Sequence, residues 1–343
     1  MKNPYYILIC FFSVTAFCEG LFGERILYDS LSLNSSQLLD PVHAKSKFSL
    51  GTKDGLSFLF SSSGSICEVR MKGEIYGRKG DWLSGFLVRD VMNDTIYKLE
   101  GKLTRIGNGT IKQTAELKDA SLLFQAVYES HNDFIKLKGS IRDILGKDRA
   151  ITLYFALPVE AIGWLWWDDI VAKRPIEEGK EYINAEENCP FGANGKHSRY
   201  PLATISSEDK SITIAIPMDK PVVHRLVYNS QTKRFFIAFD FSLVKDTAKL
   251  PSRADFEFLI YTSDPRWGFR SALEKYYSLY PSFFIKRAKR EGGWYVWGNI
   301  KDTPEAKEAG FMFHWGPRGV EAVKYDNENE FYALLYNEIE FYQ

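Results

Sequence analysis

The sequence predicts a mainly β protein, in which a large antiparallel β-sandwich is followed by a linker helix and an incomplete α/β segment. Three observations support this prediction. Apolar and polar residues alternate with a period of two through much of residues 30–263, and turn-forming residues separate the alternating runs. One amphipathic helix then begins near residue 264, and new strand-like segments follow it. We therefore expect a β-sandwich domain over residues 30–263, a linker helix over 264–290 and a further domain over 291–343.

The first twenty residues are typical of a secretory signal peptide. Lys2 supplies the positive charge, residues 5–17 form a short apolar run, and Cys18 and Gly20 fit a cleavage site. The run is too short for a comfortable transmembrane helix. We therefore expect export to an extracellular, periplasmic or cell-surface location, with residues 1–20 removed and no stable membrane span afterwards. An uncleaved N-terminal anchor and a lipid-modified Cys18 are the alternatives.

The predicted strands follow from local alternation. Within residues 134–141, Ile135 and Leu137 alternate with Lys136 and Lys138, so one face of the strand is apolar and the other is solvated. Residues 56–60 and 65–71 flank a Ser- and Gly-rich turn and predict a hairpin. Further strands are predicted at 121–128, 151–157, 211–216, 222–228, 234–239 and 255–261. Many short strands separated by turns favour a sandwich.

The predicted helix has a clear start, face and end. Asp264 fits the N-cap position, Pro265 the first helical position, and Pro281 the end of the helix. Its apolar residues recur at spacings of three and four: Phe269, Ala272, Leu273, Tyr276, Tyr277 and Tyr280. This apolar stripe is expected to pack on the sandwich or on the segment that follows.

The segment after the helix predicts the start of a truncated (β/α) barrel-like domain. Residues 292–300 and 331–336 are aromatic and strand-like. A (β/α) barrel takes roughly 250 residues and builds its active site from several strand ends. Because only residues 291–343 follow the helix, we expect no complete active site here, and the catalytic residues are unknown.

Composition excludes several classes of function. The chain has 44 basic and 44 acidic residues and no basic block, so neither nucleic acid nor an anionic membrane is an expected partner. The five histidines lack ligand spacing and no CxxC occurs, so we expect no metal and no cofactor. Outside the signal, Cys67 and Cys189 either form a disulfide or remain buried thiols.

A tryptophan-rich run at residues 163–170, GWLWWDDI, is the first candidate site. Trp rings stack on the apolar faces of sugars, and carboxylates accept hydrogen bonds from hydroxyls. The candidate substrate-binding residues are Trp164, Trp166, Trp167 and Asp168. The alternative is that Trp164 and Trp166 belong to the core. Asp168 and Asp169 do not fit a glycosidase acid–base pair, because adjacent strand residues face opposite ways.

A polar loop supplies the second candidate site. Residues 173–201 exceed the usual length of a connection, and such loops are often functional. The candidate substrate-binding residues near its end are Asn194, His197, Arg199 and Tyr200. The loop is expected either to bind substrate or another domain, or to be a surface loop whose side chains satisfy its own backbone.

Four segments carry a resemblance to a known family: GKHSRYP at residues 195–201, FLIY at 258–261, WGFR at 267–270 in the helix, and EGGW at 291–294. In this order they resemble the N-terminal part of large secreted glycoside-hydrolase-like proteins. In those proteins a galactose-mutarotase-like β-sandwich, or supersandwich, precedes a (β/α)₈ catalytic barrel. The resemblance covers roughly residues 45–343 and implies a polysaccharide or oligosaccharide partner. It assigns no catalytic residue here, because the barrel that would carry the catalytic carboxylates is largely absent.

Two functional hypotheses remain open. The first is a secreted carbohydrate-processing protein: the N-terminal portion of a glycoside-hydrolase-like enzyme, whose sandwich supports or lines a glycan cleft. The second is a non-catalytic secreted β-sandwich module that binds a glycan or a protein. An accessory sandwich of a polysaccharide lyase is a third option. Whether the chain itself is an enzyme stays open.

Overall fold

A computed structural model describes residues 48–76, 84–185, 197–247, 251–296 and 298–335. The predicted signal peptide, Cys189 and Asn194 lie outside these residues. The chain divides into two compact units, Met1–Tyr280 (unit 1) and Pro281–Gln343 (unit 2). No helix within the described ranges is both long enough and apolar enough to cross a membrane.

The regular secondary structure in the described part of unit 1 is almost entirely strand, and the strands are numbered here in chain order. They are β1 (Phe48–Gly51), β2 (Leu56–Phe60), β3 (Ile66–Met71), β4 (Glu74–Ile75), β5 (Gly85–Asp90), β6 (Thr95–Lys98), β7 (Lys102–Gly107), β8 (Thr110–Leu117), β9 (Leu122–Ser130), β10 (Phe134–Asp143), β11 (Arg149–Pro158), β12 (Leu165–Trp167), β13 (Lys173–Pro175), β14 (Glu181–Ile183), β15 (Leu202–Ser206), β16 (Ser211–Ala215), β17 (Arg225–Asn229), β18 (Arg234–Leu243) and β19 (Arg253–Tyr261). One helix, α1 (Phe269–Leu279), follows them.

The strands of unit 1 form three antiparallel sheets. Sheet A has nine strands in the order β13-β12-β15-β16-β19-β10-β9-β8-β7. Sheet B has six strands in the order β14-β17-β18-β11-β5-β6, and sheet C has four in the order β1-β2-β3-β4. The predicted hairpin is β2 paired with β3. The prediction of a mainly β fold with large antiparallel sheets is therefore confirmed.

Sheets A and B pack face to face over an aromatic core. The ring of Phe86 on β5 of sheet B lies 4.9 Å from the ring of Phe124 on β9 and 5.2 Å from that of Phe256 on β19, both in sheet A. Phe155 on β11 is 4.7 Å from Phe86 and fully buried. Aromatic rings at such separations bury large apolar areas, which is the main stabilising contribution of a sandwich core.

Helix α1 packs on the other side of sheet A. Its residues Phe269, Ala272 and Tyr276 are buried against a cluster that includes Leu259 and Tyr261 of β19. These three residues belong to the apolar stripe seen in the sequence. The helix begins at Phe269 rather than at residue 264, because Gly268 has a φ of 46°, which an α-helix does not accommodate. Its role as a linker stays a prediction.

Unit 2 has a small parallel sheet in the described residues. Strands β20 (Gly293–Val296), β21 (Phe311–Trp315) and β22 (Tyr332–Leu334) lie in that order, with helix α2 (Val320–Glu328) between β21 and β22. Short 3-10 turns occur at Pro281–Phe284, Ile300–Asp302 and Pro304–Ala306. The sequence indicated the outer strands but not β21. The identity of this unit as the start of a barrel, and the predicted domain boundaries, remain predictions.

Candidate functional site

The outer face of sheet A between β8 and β19 carries a regular array of polar side chains. Strand pairing places Lys112, Val127, Lys138 and Glu257 opposite one another on β8, β9, β10 and β19. The same pairing aligns a second row, formed by Thr114, Gln125, Ser140 and Asp255. Because residues two apart in a strand share a face, these two rows point away from the core. We call this surface the polar sheet face.

Two adjoining cavities open on the polar sheet face. One has a volume of about 790 Å³ and the other about 670 Å³. Gln125 and Arg253 line both of them. The two cavities together offer an elongated surface rather than a closed pocket, which suits an extended ligand with several polar groups.

Glu257 forms the best-connected charge cluster of this face. Its side chain is only 8% exposed, and its Oε1 lies 2.6 Å from the Nζ of Lys136. The Nζ of Lys220 donates to its other oxygen. Burial raises the pKa of Glu257, but the hydrogen bonds from the two lysines outweigh burial and hold its pKa below the usual value. The carboxylate therefore stays ionised and fixes both ammonium groups beside the cavity.

The second row supplies neutral hydrogen-bonding groups. The Nε2 of Gln125 donates to the Oγ of Ser140 at 3.2 Å. The Gln125 amide is otherwise exposed, so its oxygen can accept and its second N–H can donate to a ligand. Hydroxyl and amide groups beside ammonium groups are suited to a polyhydroxylated ligand.

A third cavity, of about 540 Å³, lies between α1, the start of β15 and the loop after β16, and it shares Pro221 and Val222 with the 670 Å³ cavity. We call it the helix groove. Its lining is mostly apolar and includes Phe269, Leu273 and Met218. Polar groups at its wall come from Asp169, from His224 and from three tyrosines, Tyr200, Tyr276 and Tyr277. The groove therefore resembles a hydrophobic slot more than a sugar site, since it offers few hydrogen-bonding groups.

His224 joins two loops beside the helix groove. Its Nδ1 lies 2.7 Å from the carbonyl oxygen of Val222, and its Nε2 lies 3.2 Å from that of Tyr200. A neutral imidazole has a single N–H and can donate to only one of these carbonyls. Burial lowers the pKa of His224 and outweighs the two backbone contacts, which favour the charged form.

The structure buries two of the tryptophans that the sequence singled out. Trp166 is fully buried, and its indole N–H donates to the Oδ1 of Asn184 at 2.9 Å. Trp167 is 6% exposed and its indole N–H donates to the Oγ of Ser206 at 2.9 Å. These contacts favour the core alternative that the sequence left open for Trp166. Sugar stacking by either ring stays a prediction.

Trp164 and Asp168 have other local partners. The ring of Trp164 is half-buried and lies 5.4 Å from the ring of Tyr76 in an edge-to-face arrangement. Asp168 accepts two hydrogen bonds from Arg174, at 2.7 and 2.6 Å. Neither residue lines a described cavity.

The loop residues are separated by the fold. Tyr200 lines the helix groove, with its ring 5.4 Å from that of Phe269. Arg199 is exposed, and His197 is partly buried with no hydrogen bond from its Nδ1 to any described residue. Asn194 lies outside the described residues. Tyr200 is therefore the one predicted site residue that borders a cavity in the part of the chain described.

The sequence led us to expect no metal site. No group of three or more His, Cys, Asp or Glu residues that could hold a metal ion occurs among the residues described. In a separate contact near the tryptophan run, the Nζ of Lys173 lies 5.0 Å from the centre of the Trp167 ring, which is a cation–π arrangement.

The polar sheet face was missed as a site by sequence reasoning. Alternation in residues 134–141 showed that Lys136, Lys138 and Ser140 point to solvent. It gave no sign that they stand beside residues of β8, β9 and β19, because cross-strand register depends on tertiary pairing.

Among the comparisons with known proteins, the one with solved structures found similar chains. No protein-family model and no curated protein matches the chain. The GH36 alpha-galactosidase AgaB from Geobacillus stearothermophilus is 12% identical, with a TM-score of 0.50, over 86% of this chain and 56% of that chain. A variant of the alpha-galactosidase AgaA from the same organism, solved with raffinose, is 11% identical, with a TM-score of 0.50, over 83% and 55%. A putative aldose 1-epimerase from Escherichia coli K12 is 9% identical, with a TM-score of 0.37, over 63% and 98%.

The two alpha-galactosidase matches confirm the predicted resemblance as a likeness of fold. The structural neighbours include galactose mutarotase-like proteins and glycoside hydrolases. The chain spans about half the length of the alpha-galactosidases that it matches. Fold alone does not determine function, because the same fold carries different sites in different proteins.

Proposed function

We propose that this protein is an exported carbohydrate-processing protein, the N-terminal portion of a glycoside-hydrolase-like enzyme, and that its sandwich binds glycan at the polar sheet face. The observation that supports this most is the pair of adjoining cavities over the two rows of the polar sheet face, the first containing Lys112 and the second containing Gln125. The shared fold with alpha-galactosidases, one of them solved with raffinose, supports the choice of ligand class as an analogy.

The chemistry of the face supports glycan binding. Sugar hydroxyls need both donors and acceptors, and Gln125, Ser140 and Thr114 provide both. Val127 lies between the two lysines of its row and offers an apolar contact to the C–H surface of a sugar ring. Hydrogen bonds made beside such a contact give specificity without deep enclosure.

The alternative, a non-catalytic glycan-binding module, is favoured by the state of the carboxylates. Glu257 is held by Lys136 and Lys220, and Asp255 accepts hydrogen bonds from Arg253 at 2.9 and 2.6 Å. Glycoside hydrolysis by two carboxylates needs one protonated acid and one available base or nucleophile. Among the described residues, four acids line the two cavities of this face: Glu116, Asp246, Asp255 and Glu257. Asp246 is engaged by Arg142, as Asp255 and Glu257 are by their own cations, so Glu116 has no second available carboxylate there to complete a hydrolytic pair. This arrangement fits binding better than hydrolysis.

Titration calorimetry of the full chain against a panel of neutral and acidic oligosaccharides, with raffinose among the neutral ones, tests the proposal. We expect at least one sugar to bind, and Gln125→Ala to weaken its binding about fivefold, because a lost hydrogen bond costs about 1 kcal/mol. The matched control is Gln231→Ala, which alters an exposed glutamine in the turn between β17 and β18. No binding by any sugar, or equal losses in both variants, would contradict the proposal. Release of reducing sugar would favour the enzyme over the module.

A further inference from the structure

The first row of the polar sheet face carries more positive charge than its surroundings neutralise. Lys112 and Lys138 lie on either side of Val127, two strands apart, so their Cα atoms are about 10 Å apart. Among the described residues Lys112 forms no ion pair. Lys138 pairs with Glu129 at 2.8 Å, but 45% of the lysine side chain is exposed, so water competes for this pair.

The carboxylates nearby do not cancel this charge. Glu257 stands opposite Lys138 in the register, but its two oxygens are occupied by Lys136 and Lys220. The wall of the 670 Å³ cavity carries four basic residues, Lys112, Lys138, Lys220 and Arg253, and two acidic ones, Asp255 and Glu257. Adding their ion-pair partners Lys136 and Glu129 gives five basic residues and three acidic ones among those described.

This local excess departs from the composition of the chain. Basic and acidic residues are equal in number over the whole sequence. A cleft with an excess of one sign of charge attracts ligands of the other sign, and its low-dielectric walls strengthen the effect. An ammonium group can donate a hydrogen bond to a neutral sugar hydroxyl, but with a carboxylate or a sulfate ester it forms a stronger hydrogen bond between opposite charges.

We propose that the polar sheet face binds an acidic oligosaccharide whose carboxylate or sulfate groups contact Lys112 and Lys138. This inference rests on the proposed function and specifies its ligand class. Each lysine donates to one anionic group, Val127 contacts the ring between them, and Gln125 and Ser140 bind hydroxyls in the next row. The cluster of Lys136, Glu257 and Lys220 holds one side of the cavity rigid.

Calorimetry with three matched probes tests this inference: a galacturonic acid trimer, the neutral galactose trimer and a sulfated galactose trimer. We expect an acidic trimer to bind at least tenfold more tightly than the neutral one, and its affinity to fall as salt is raised from 50 to 500 mM, since salt screens exposed charges. The carboxylated and sulfated probes distinguish the two sources of negative charge.

Charge-removing variants locate the effect. Lys112→Gln and Lys138→Gln are each expected to weaken the acidic trimer about tenfold, as hydrogen bonds to charged groups contribute roughly 1.5–3 kcal/mol. Lys112→Arg keeps the charge and should retain most of the affinity. The control Lys180→Gln removes an exposed lysine that pairs with Glu177 elsewhere on unit 1, and should change nothing.

The outcomes separate this inference from the proposed function. Equal or tighter binding of the neutral trimer would overturn the preference for acidic sugars and leave glycan binding intact. Preference for an acidic trimer with no loss in the Lys112 and Lys138 variants would overturn the assignment to this face. Failure of every sugar to bind would overturn both proposals.

Discussion

The Nδ1 of His314 lies 2.8 Å from the Oδ2 of Asp326, and both side chains are fully buried in unit 2. The Nε2 of His314 lies 2.9 Å from the carbonyl oxygen of Gly298, which can only accept, so Nε2 carries a hydrogen. One proton is therefore shared between Nδ1 and the carboxylate. Burial raises the pKa of Asp326, and the hydrogen bond to His314 only partly offsets this. The pair links β21 to α2.

Asp326→Ala is expected to destabilise unit 2 by about 3 kcal/mol, because it leaves the buried Nδ1 of His314 without its carboxylate partner. Asp326→Asn should cost less, about 1 kcal/mol, since the amide can still donate to Nδ1. Hydrogen exchange of the β21 and α2 amides in the full chain measures both effects. Asp302→Ala, which changes an exposed aspartate of the same unit, is the control. Equal protection in all three variants would show that the pair does not hold these elements together.

Glu181→Gln is expected to stabilise unit 1 at pH 8 by about 2 kcal/mol. Burial raises the pKa of Glu181 to about 7, against 4.5 for the free side chain, although Asn229 donates to it at 2.8 Å. The folded chain therefore binds a proton more tightly than the unfolded chain, and the free energy of unfolding falls as pH rises from about 4.5 to about 7. Urea unfolding from pH 4 to 8 should show this loss in the parent and not in the variant.

His224 is expected to give the opposite pH dependence. Burial lowers its pKa in the folded chain, so the unfolded chain takes up the proton first as pH falls below about 6.5. The free energy of unfolding contributed by His224 is therefore lost toward acidic pH. The difference in stability between the parent and His224→Gln should shrink as pH falls from 7.5 to 5.5. A constant difference would mean that the ring keeps the same protonation state in both forms.

Gly268→Ala is expected to loosen α1 from sheet A. Gly268 has a φ of 46°, and a Cβ atom there would lie 1.9 Å from the ring of Trp167. The variant should lose about 3 kcal/mol from overpacking and backbone strain together. Gly146→Ala is the matched control, because Gly146 has a φ of 61° but no atom within 4 Å of the added Cβ, and strain alone should cost about 1 kcal/mol. Urea unfolding compares the two, and equal losses would contradict the steric argument.

The sheets were predictable because burial follows alternation. Ile135 and Leu137 are fully buried, while Lys136 and Lys138 face solvent, as the period of two indicates. The strand ends and the three sheet orders were not predictable, because β11 and β18 are apolar on both faces and their period is hidden. Beside sheet B, Tyr154 and Phe236 form a second buried cluster that explains this composition.

The candidate site was less accessible to sequence reasoning. The tryptophan run was the most conspicuous signal. However, the sequence does not distinguish a tryptophan that is buried in a core from one on a sugar-binding surface. Trp166 illustrates this, since its indole N–H is satisfied by Asn184 inside the protein. The polar sheet face has no local motif. Lys112, Lys138 and Glu257 come together only through the register of four strands.

The alternation along β8, β9, β10 and β19 also bears on how such a chain can evolve. Every second residue supports the sandwich core, and Lys112 and Gln125, which lie between such residues, point away from it. A lineage can therefore exchange Lys112 or Gln125 by single mutations without passing through an ancestor that fails to fold. If the ligand preference of such a face changes while the scaffold is kept, the resulting relatives share the fold and have very low sequence identity.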